Sequence, residues 1–386
     1  MDELTNPYRP GAGVVPPALI GRDHLIDHFG VLMRRAQRGR PGKSILPTGL
    51  RGVGKTVLLN RFAQIAEQEG LAVAFIESPE AGDVRALLAA RLRQILTRIG
   101  SGARTARLLR ALRVLKTFSL QLPDGSTFAM DVDSLAGVAD SGILADDVTD
   151  LLVAVGEALA ERESGLLLCI DELQYLSSDE LGALITAIHR TTQLDLPVVL
   201  VGAGLPQLPG LVGEARSYAE RLFEFPHVGH LDHGDAQTAI TVPAADEGVE
   251  YAPDAVERIV EQTRGYPYFI QEWGYQIWNA APASPISLDV VLASEERIVR
   301  HLDRNFFLVR FDRLTPKERQ YLRAMAGLGP GPHRSGDIAA ALGVKVESVA
   351  PRRSGLIAKG MIYSPAHGDT AFTVPMFDEF LRRAMP

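Results

Sequence analysis

Residues 49–56 read GLRGVGKT, and this stretch decides the fold of the 386-residue chain. A short apolar run at 44–46 precedes it, and the apolar residues that follow recur at helical spacing: Val57, Leu58, Leu59, Phe62 and Ile65. The glycines therefore fall in a turn between a strand and a helix, the setting that the phosphate-binding loop GxxxxGK(S/T) requires. Glycine permits positive φ and close backbone approach, so successive N–H groups and the helix N-terminus face a polyphosphate.

The motif predicts which residues hold the nucleotide: Gly49, Gly52, Val53, Gly54, Lys55 and Thr56. Lys55 is expected to act as a catalytic residue that reaches the β- and γ-phosphates, and Thr56 to bind Mg²⁺. The structural alternative is an ordinary glycine turn before a helix that begins with lysine. Eight residues in register and a partner motif downstream favour the nucleotide site.

That partner motif is GLLLCIDE at 165–172. A continuous apolar run is typical of a strand buried on both faces of a parallel sheet, and its carboxyl end is where such sheets bind ligands. Asp171 is predicted to hold Mg²⁺, and Glu172 to orient or activate the attacking water. An apolar run ending in two acids is also common as a plain strand end, but the P-loop upstream favours the Walker B interpretation.

Composition restricts the class of protein more than its activity. The 46% hydrophobic and 23% charged residues are ordinary for a globular protein, and the net charge of −7 argues against wholesale coating of nucleic acid. The single cysteine, Cys169, excludes an internal disulfide framework and suits a reducing compartment. The acidic N-terminus lacks signal-peptide features and the apolar stretch 196–213 contains three prolines, so we expect a cytoplasmic protein without a membrane span.

Positive charge is concentrated in residues 83–116, which carry nine basic residues against one acid: Arg85, Arg91, Arg93, Arg98, Arg104, Arg107, Arg110, Arg113 and Lys116 against Asp83. Leucine and isoleucine fill the helical positions between them, which predicts amphipathic helices with a basic face. That face is either solvated and paired with acids elsewhere, the favoured interpretation, or a nucleic-acid patch. Residues 117–133 then alternate around Pro123-Asp124-Gly125, which predicts a β-hairpin insertion.

Two further residue clusters are more simply explained by structure than by ligand binding. His227, His230 and His233 invite a metal-site interpretation, but no cysteine or HExxH partner accompanies them, which favours an ordinary connection. Trp273 and Trp278 stand at helical spacing, which is more typical of a core than of a ligand cage.

The last segment, 313–386, predicts helix, turn, helix and β-hairpin in that order. This is the order of a winged helix. Its second helix bears Arg352, Arg353 and Lys359 and is only modestly basic. Winged helices bind duplex DNA or dock on proteins, so both interpretations stay open.

Taken together, the P-loop, the Walker B strand, the helical segment after them and the winged helix resemble P-loop ATPases of the AAA+ and STAND class. More narrowly, the chain is similar to prokaryotic ATPases related to origin-recognition and replication-initiator proteins. The resemblance implies an α/β core, with a parallel sheet and helices on both faces, followed by a helical lid. The expected domains are an extended arm at 1–18, the ATPase core at 19–234, the lid at 235–312 and the winged helix at 313–386.

The resemblance also implies further site residues. The LIGRD sequence at 19–23 is similar to a box that packs near the adenine, which suggests a nucleotide-binding role for Arg22. GYP at 265–267 looks like the GxP motif of STAND lids and suggests the same for Pro267. Arg221 lies where such ATPases can carry a catalytic arginine that acts on a neighbouring subunit, although it could equally pair with a nearby acid.

Two departures from the family pattern bear on the rate of hydrolysis. The polar residue usual at sensor 1 is replaced by GAG at 202–204, and the lid carries GxP where many AAA+ proteins have a sensor 2 arginine. We therefore expect a slowly hydrolysing switch, in which ATP or ADP with Mg²⁺ controls the winged helix. The alternatives are a DNA-binding regulator or initiator-like loader that uses the winged helix on double-stranded DNA, and a signalling scaffold that recruits a protein partner or self-associates.

Overall fold

The computed structural model describes residues 1–11, 13–79, 83–100, 105–122 and 132–385. Its centre is a five-stranded sheet in the order β2-β3-β4-β1-β5, with every pairing parallel. The strands are β1 (Ser44–Ile45), β2 (Ala72–Glu77), β3 (Leu166–Asp171), β4 (Val198–Gly202) and β5 (Phe223–Glu224). The predicted α/β class with a parallel sheet is confirmed.

Helices cover both faces of this sheet. They are α1 (Asp23–Gln37), α2 (Lys55–Gln68), α3 (Val84–Ile99), α4 (Ala106–Leu120), α5 (Leu144–Ala160), α6 (Ser178–Gln193) and α7 (Leu208–Ala215). Alternate residues of β3 enter two separate cores, Leu168 on the side of α3 to α7 and Cys169 on the side of α1 and α2. This double burial explains why β3 is apolar at every position before its terminal aspartate.

The region of the expected hairpin differs from the prediction. Residues 117–120 are the last turn of α4, because Leu115 and Phe118 continue the apolar helical face that packs into the core. The first strand of the predicted hairpin over 117–133 is therefore wrong as far as Leu120. Residues 123–131, which include the predicted turn, lie outside the described residues.

Beyond β5 the chain forms a helical region: α8 (His233–Asp246), α9 (Pro253–Thr263), α10 (Pro267–Ala280), α11 (Leu288–Leu302), a π-helical turn (Asp303–Phe307) and α12 (Leu308–Phe311). Trp273 and Trp278 of α10 are buried, as the core interpretation expected. The N-terminal segment packs on these helices, where the Tyr8 hydroxyl donates to the Ile240 carbonyl at 2.5 Å. Gly274 lies against the Tyr8 ring, which leaves no room there for a Cβ.

Residues 313–385, here called the C-terminal unit, contain the elements α13 (Pro316–Gly327), β6 (His333–Arg334), α14 (Ser335–Ala341), α15 (Val346–Ala358), β7 (Ile362–Tyr363), β8 (Asp369–Phe372) and α16 (Phe377–Ala384). The three strands form an antiparallel sheet in the order β6-β8-β7. Helix, turn, helix and hairpin thus follow in the order that the sequence predicts. The sequence interpretation did not include α16, whose Phe377, Phe380 and Leu381 are buried in the core that α13 shares.

Within the described ranges, no helix combines the length and the apolar character that crossing a lipid bilayer requires.

Candidate functional site

The loop between β1 and α2 has the backbone shape that the motif requires. Gly52 has a φ of 82° and Gly54 a φ of 92°, values that residues with a Cβ rarely adopt. Gly54 is the N-cap of α2, so the free N–H groups at the start of that helix open onto the loop. Val53 is buried in the core with α1 and α2 and anchors the loop from below. The geometry is that of an anion-binding turn at a helix N-terminus.

Lys55 lies buried at the start of α2. Its ammonium group donates to the carbonyls of Gly49 at 2.9 Å and of Leu50 at 2.8 Å. Burial lowers the pKa of Lys55 to about 8, although the nearby carboxylates of Glu172 and Asp171 act in the opposite direction. At neutral pH the group is therefore still mostly charged and is held over the turn where phosphate oxygens would lie.

Thr56 and Asp171 meet beside this lysine. The Thr56 hydroxyl donates to Oδ2 of Asp171 at 2.5 Å. Burial raises the pKa of the Asp171 carboxyl, and the hydrogen bond from Thr56 opposes that effect. One hydroxyl and one carboxylate fit Mg²⁺, which completes its shell with water and phosphate oxygens.

A metal site built only from protein side chains would need several ligating residues close together, unlike the predicted Mg²⁺ site at Thr56 and Asp171. Among the described residues, no group of three or more His, Cys, Asp or Glu is arranged to hold a metal ion. The metal interpretation of His227, His230 and His233 therefore finds no geometric support.

Glu172 follows β3 in a left-handed backbone conformation with a φ of 54°. This turn leads the chain into a short 3-10 helix at Leu173–Tyr175. One carboxylate oxygen accepts a hydrogen bond from the side-chain amide of Gln174, and the other lies 3.8 Å from the Arg51 guanidinium. A non-glycine residue in this conformation is strained, and such strain is common where a side chain must be aimed at a ligand.

The P-loop opens into a cavity of about 250 Å³. Residues of the N-terminal segment, the P-loop, α10 and α12 line it together with Glu172. Among the described residues, its charged lining consists of five cationic side chains and one carboxylate: Arg9, Arg22, Arg51, Lys55 and Arg310 against Glu172. A strong excess of positive charge in such a cleft fits a polyanionic ligand such as a nucleoside triphosphate.

Comparison with known families agrees with this geometry. Residues 18–201 match the family described as AAA ATPase domain. Residues 18–201 therefore form a P-loop ATPase domain. Residues 304–381 match a family described as a domain of unknown function (DUF8462). Among curated proteins, no sequence matches the chain.

One solved structure shows a similar fold for the ATPase, and two others show a weaker likeness. The Walker-type ATPase PAby2304 of Pyrococcus abyssi is 16% identical, with a TM-score of 0.59, and 94% of this chain and 96% of that chain are covered. The RuvB Holliday junction branch migration motor of Thermotoga maritima is 18% identical (TM-score 0.47; 96% and 99% covered). The Orc1 protein of Aeropyrum pernix, solved with DNA, is 18% identical (TM-score 0.46; 95% and 94% covered). At these identities the likeness concerns the fold alone.

The residues that the resemblance suggested are not all at the cavity of the ATPase. Arg22 and Pro267 both line it, and Arg22 also donates to the Gly229 carbonyl at 2.6 Å. Burial lowers the pKa of Arg22, and Asp235 acts against this effect. Arg221, in contrast, is exposed at the end of a short 3-10 helix before β5 and does not line the cavity. Its suggested action on a neighbouring subunit stays a prediction.

Arg310 of α12 is a cavity residue that the sequence interpretation missed. Its guanidinium lies 4.1 Å from the centre of the Phe306 ring and donates to the Phe306 carbonyl at 2.6 Å. Burial lowers the pKa of Arg310, and the positive charge of Arg51 adds to that effect. Nothing near Arg310 in the sequence marks it as a cavity residue, because only the fold brings it close to Arg51 and the P-loop.

The P-loop of the ATPase is bonded to both of the regions that follow the core. The Tyr268 N–H of α10 donates to the Gly52 carbonyl at 3.2 Å. The Arg51 N–H donates to the Thr373 carbonyl in the C-terminal unit at 2.9 Å. Gly360 also packs on this point, since a Cβ there would lie 2.6 Å from the Arg51 guanidinium and 2.8 Å from the Tyr175 hydroxyl. The tip of the phosphate loop therefore touches the helical region on one side and the C-terminal unit on the other.

Proposed function

We propose that this ATPase is a slowly hydrolysing, nucleotide-dependent switch, in which the ATP or ADP state sets the position of a C-terminal winged helix. The observation that carries the proposal is the main-chain hydrogen bond from Arg51 in the P-loop to Thr373 in the C-terminal unit. Because that donor belongs to the loop that wraps the phosphates, a change in phosphate occupancy acts directly on the contact.

The proposed chemistry uses residues that already converge. Lys55 binds the β- and γ-phosphates, and Glu172 accepts a proton from the attacking water. The water oxygen bonds to the γ-phosphorus as the bond from that phosphorus to the β–γ bridging oxygen breaks, which yields ADP and inorganic phosphate. Mg²⁺, when held by Thr56 and Asp171, supplies charge neutralisation of the phosphates.

Two arginines give the γ-phosphate its influence on the switch. Arg51 and Arg310 are like charges close enough for one to lower the pKa of the other, and both line the cavity. A γ-phosphate between them would replace repulsion by attraction to both. Since α12 leads into the C-terminal unit, ATP would draw that unit toward the P-loop and ADP would not.

Slow hydrolysis is supported by what surrounds the γ-phosphate position. The segment after β4, residues 203–206, carries no polar side chain, so sensor 1 supplies none to align the water. Arg221 is outside the cavity, so an arginine contribution from that position requires a second subunit. Specific activity that rises with protein concentration would support that role, and a constant value would count against it.

Distance measurements between spin labels test the switch. The native Cys169 is buried and burial raises its thiol pKa, so labels go only to introduced cysteines. We expect the distance between Gln68→Cys in α2 and Ser354→Cys in α15 to differ between a non-hydrolysable ATP analogue and ADP. The pair Gln68→Cys and Gln193→Cys, both within the core, should report no change. Equal distances for the first pair in both nucleotides would refute the switch.

A second candidate function is recruitment of a protein partner by the C-terminal unit. The exposed start of α15 presents Val344 and Val346, whereas Arg353 is committed to the hairpin through bonds to Thr370 at 2.9 Å and Ser364 at 2.7 Å. The exposed apolar pair favours a protein partner, although Lys345 between the two valines is exposed as well.

ATP hydrolysis measured with and without duplex DNA distinguishes a protein-docking surface from a DNA-binding surface on the C-terminal unit. Stimulation that fades as salt rises would instead support the DNA-binding regulator or loader. Indifference to DNA would favour the protein partner.

A further inference from the structure

Gln174 connects Glu172 to the segment that follows β4. Its side-chain oxygen accepts a hydrogen bond from the Leu205 N–H at 3.0 Å, and its side-chain nitrogen donates to the Glu172 carboxylate. A main-chain N–H only donates, so the Leu205 bond fixes which end of the Gln174 amide faces each partner. The amide therefore presents its NH₂ group to Glu172 by necessity.

The segment after β4 is shaped to receive this side chain. A Cβ on Gly204 would lie 2.9 Å from the side-chain oxygen of Gln174. The glycine makes room for the amide at a place where the backbone itself offers the N–H of Leu205. The missing side chain at Gly204 therefore leaves the space that the Gln174 amide occupies.

We propose that Gln174 is the positioning residue for Glu172 in ATP hydrolysis, standing in for the polar side chain that the end of β4 lacks. The inference rests on the proposed role of Glu172 as proton acceptor. Gln174 holds one carboxylate oxygen, and the other lies 3.8 Å from the guanidinium of Arg51, which lines the same cavity as Glu172. A neutral amide orients the carboxylate without neutralising it, so its ability to accept a proton is kept.

The charged neighbours of Glu172 cannot do this task equally well. Arg51, from the P-loop, lies 3.8 Å from the carboxylate and also donates to the Tyr175 hydroxyl at 2.5 Å. Lys55 of α2 is bonded to the carbonyls of the P-loop. Asp171 of β3 carries the same charge as Glu172 and repels it. Among these neighbours, Gln174 is the one whose hydrogen bond fixes the carboxylate while its other end is held by backbone.

Two substitutions of Gln174 test the proposal in steady-state ATP hydrolysis. Gln174→Leu removes both hydrogen bonds at similar size, and we expect kcat to fall about a hundredfold because a misplaced base loses most of its effect, with KM for ATP little changed. Gln174→Glu keeps the acceptor for the Leu205 N–H but sets a carboxylate against Glu172. A carboxylate at this position has no N–H to donate to Glu172 and repels it, so kcat should fall in this variant as well, again with KM for ATP little changed. Gln68→Glu, exposed on α2, is the matched control and should change neither.

Measured nucleotide affinity and melting temperature separate positioning from folding. Wild-type kcat in Gln174→Leu or in Gln174→Glu would overturn the inference, and so would a loss confined to KM. If Gln174→Leu does not fold, the separate effects of Gln174→Glu on kcat and on KM decide alone. Glu172→Gln separates the two proposals. Activity in that variant would refute the role of Glu172 as proton acceptor. An inactive Glu172→Gln together with unaffected Gln174 variants would refute only the positioning role of Gln174.

Discussion

The cationic side chains of the cavity and those of α3 and α4 differ in what surrounds them. The cavity gathers five cations from separate segments around one carboxylate. The helices α3 and α4 carry more basic residues in one run, yet Arg85 pairs with Asp83 at 2.6 Å and Arg110 with Glu157 at 2.7 Å. At least two cations of the basic run thus have a carboxylate of their own, whereas the five cations of the cavity share one, so the density of basic residues in the sequence does not locate the site.

The strongest test of this contrast is Lys55→Ala. We expect ATP turnover to fall a hundredfold or more, since about that much is lost when one charge-stabilising donor leaves a site of this kind. Steady-state hydrolysis and titration with a fluorescent nucleotide measure it. Lys43→Ala, an exposed lysine just before β1, is the control and should behave as the wild type. Unchanged activity in Lys55→Ala would refute the assignment of the nucleotide site to the P-loop.

Arg310→Ala tests whether a cation from α12 belongs to the site. A charge-assisted hydrogen bond contributes about 1.5–3 kcal/mol, so the ATP dissociation constant should rise about tenfold or more, and that for ADP less. Arg313→Ala removes an exposed arginine three residues away and should alter neither constant. Equal losses for ATP and ADP in Arg310→Ala would show that this residue does not read the γ-phosphate.

The buried lysine also makes binding sensitive to pH. The pKa of Lys55 is about 8 without phosphate, and a bound phosphate raises it, so above pH 8 binding takes up a proton. ATP affinity should be flat below that pH and fall as pH rises, by up to about tenfold per unit. Titrations across this range measure the fall, and Lys55→Arg, which does not titrate there, should flatten it. A flat wild-type curve would contradict the pKa.

The smallest effects are expected on the basic helices. Arg107→Ala and Arg113→Ala, exposed on α4, should each change the free energy of unfolding by less than about 0.5 kcal/mol and leave ATP hydrolysis unaltered. Chemical denaturation and turnover assays check both. Loss of DNA affinity in these variants would break the comparison, because it would give the basic run a function that its paired arginines argue against.

The parts of the site that are continuous in sequence could be predicted. The P-loop spans eight residues and the Walker B strand another eight, and in each the spacing alone fixes a turn or a strand end. Thr56 and Asp171 could be brought together on paper because parallel strands end at one edge of a sheet. The hairpin prediction failed at 117–120 because short alternation looks like a strand, whereas the helical face of α4 continues from residues upstream.

Other parts depend on contacts that no local pattern encodes. Arg310 reaches the cavity only because the fold brings α12 beside the P-loop, from which it is far in sequence. The Gln174 amide finds its acceptor role through a backbone N–H at Leu205, which every residue except proline would offer. The sequence shows that a polar side chain is missing after β4. It does not show that Gln174 lies opposite, because the two segments are separate in sequence and meet only in the folded protein.

The bond from Arg51 to Thr373 joins two main-chain groups, and this has an evolutionary consequence. Any residue but proline at the first position can donate, and any residue at the second can accept. The tie between the phosphate loop and the C-terminal unit therefore survives substitution of both side chains. The exposed side chains of that unit can therefore change in the course of evolution while its main-chain hydrogen bond to the phosphate loop is retained.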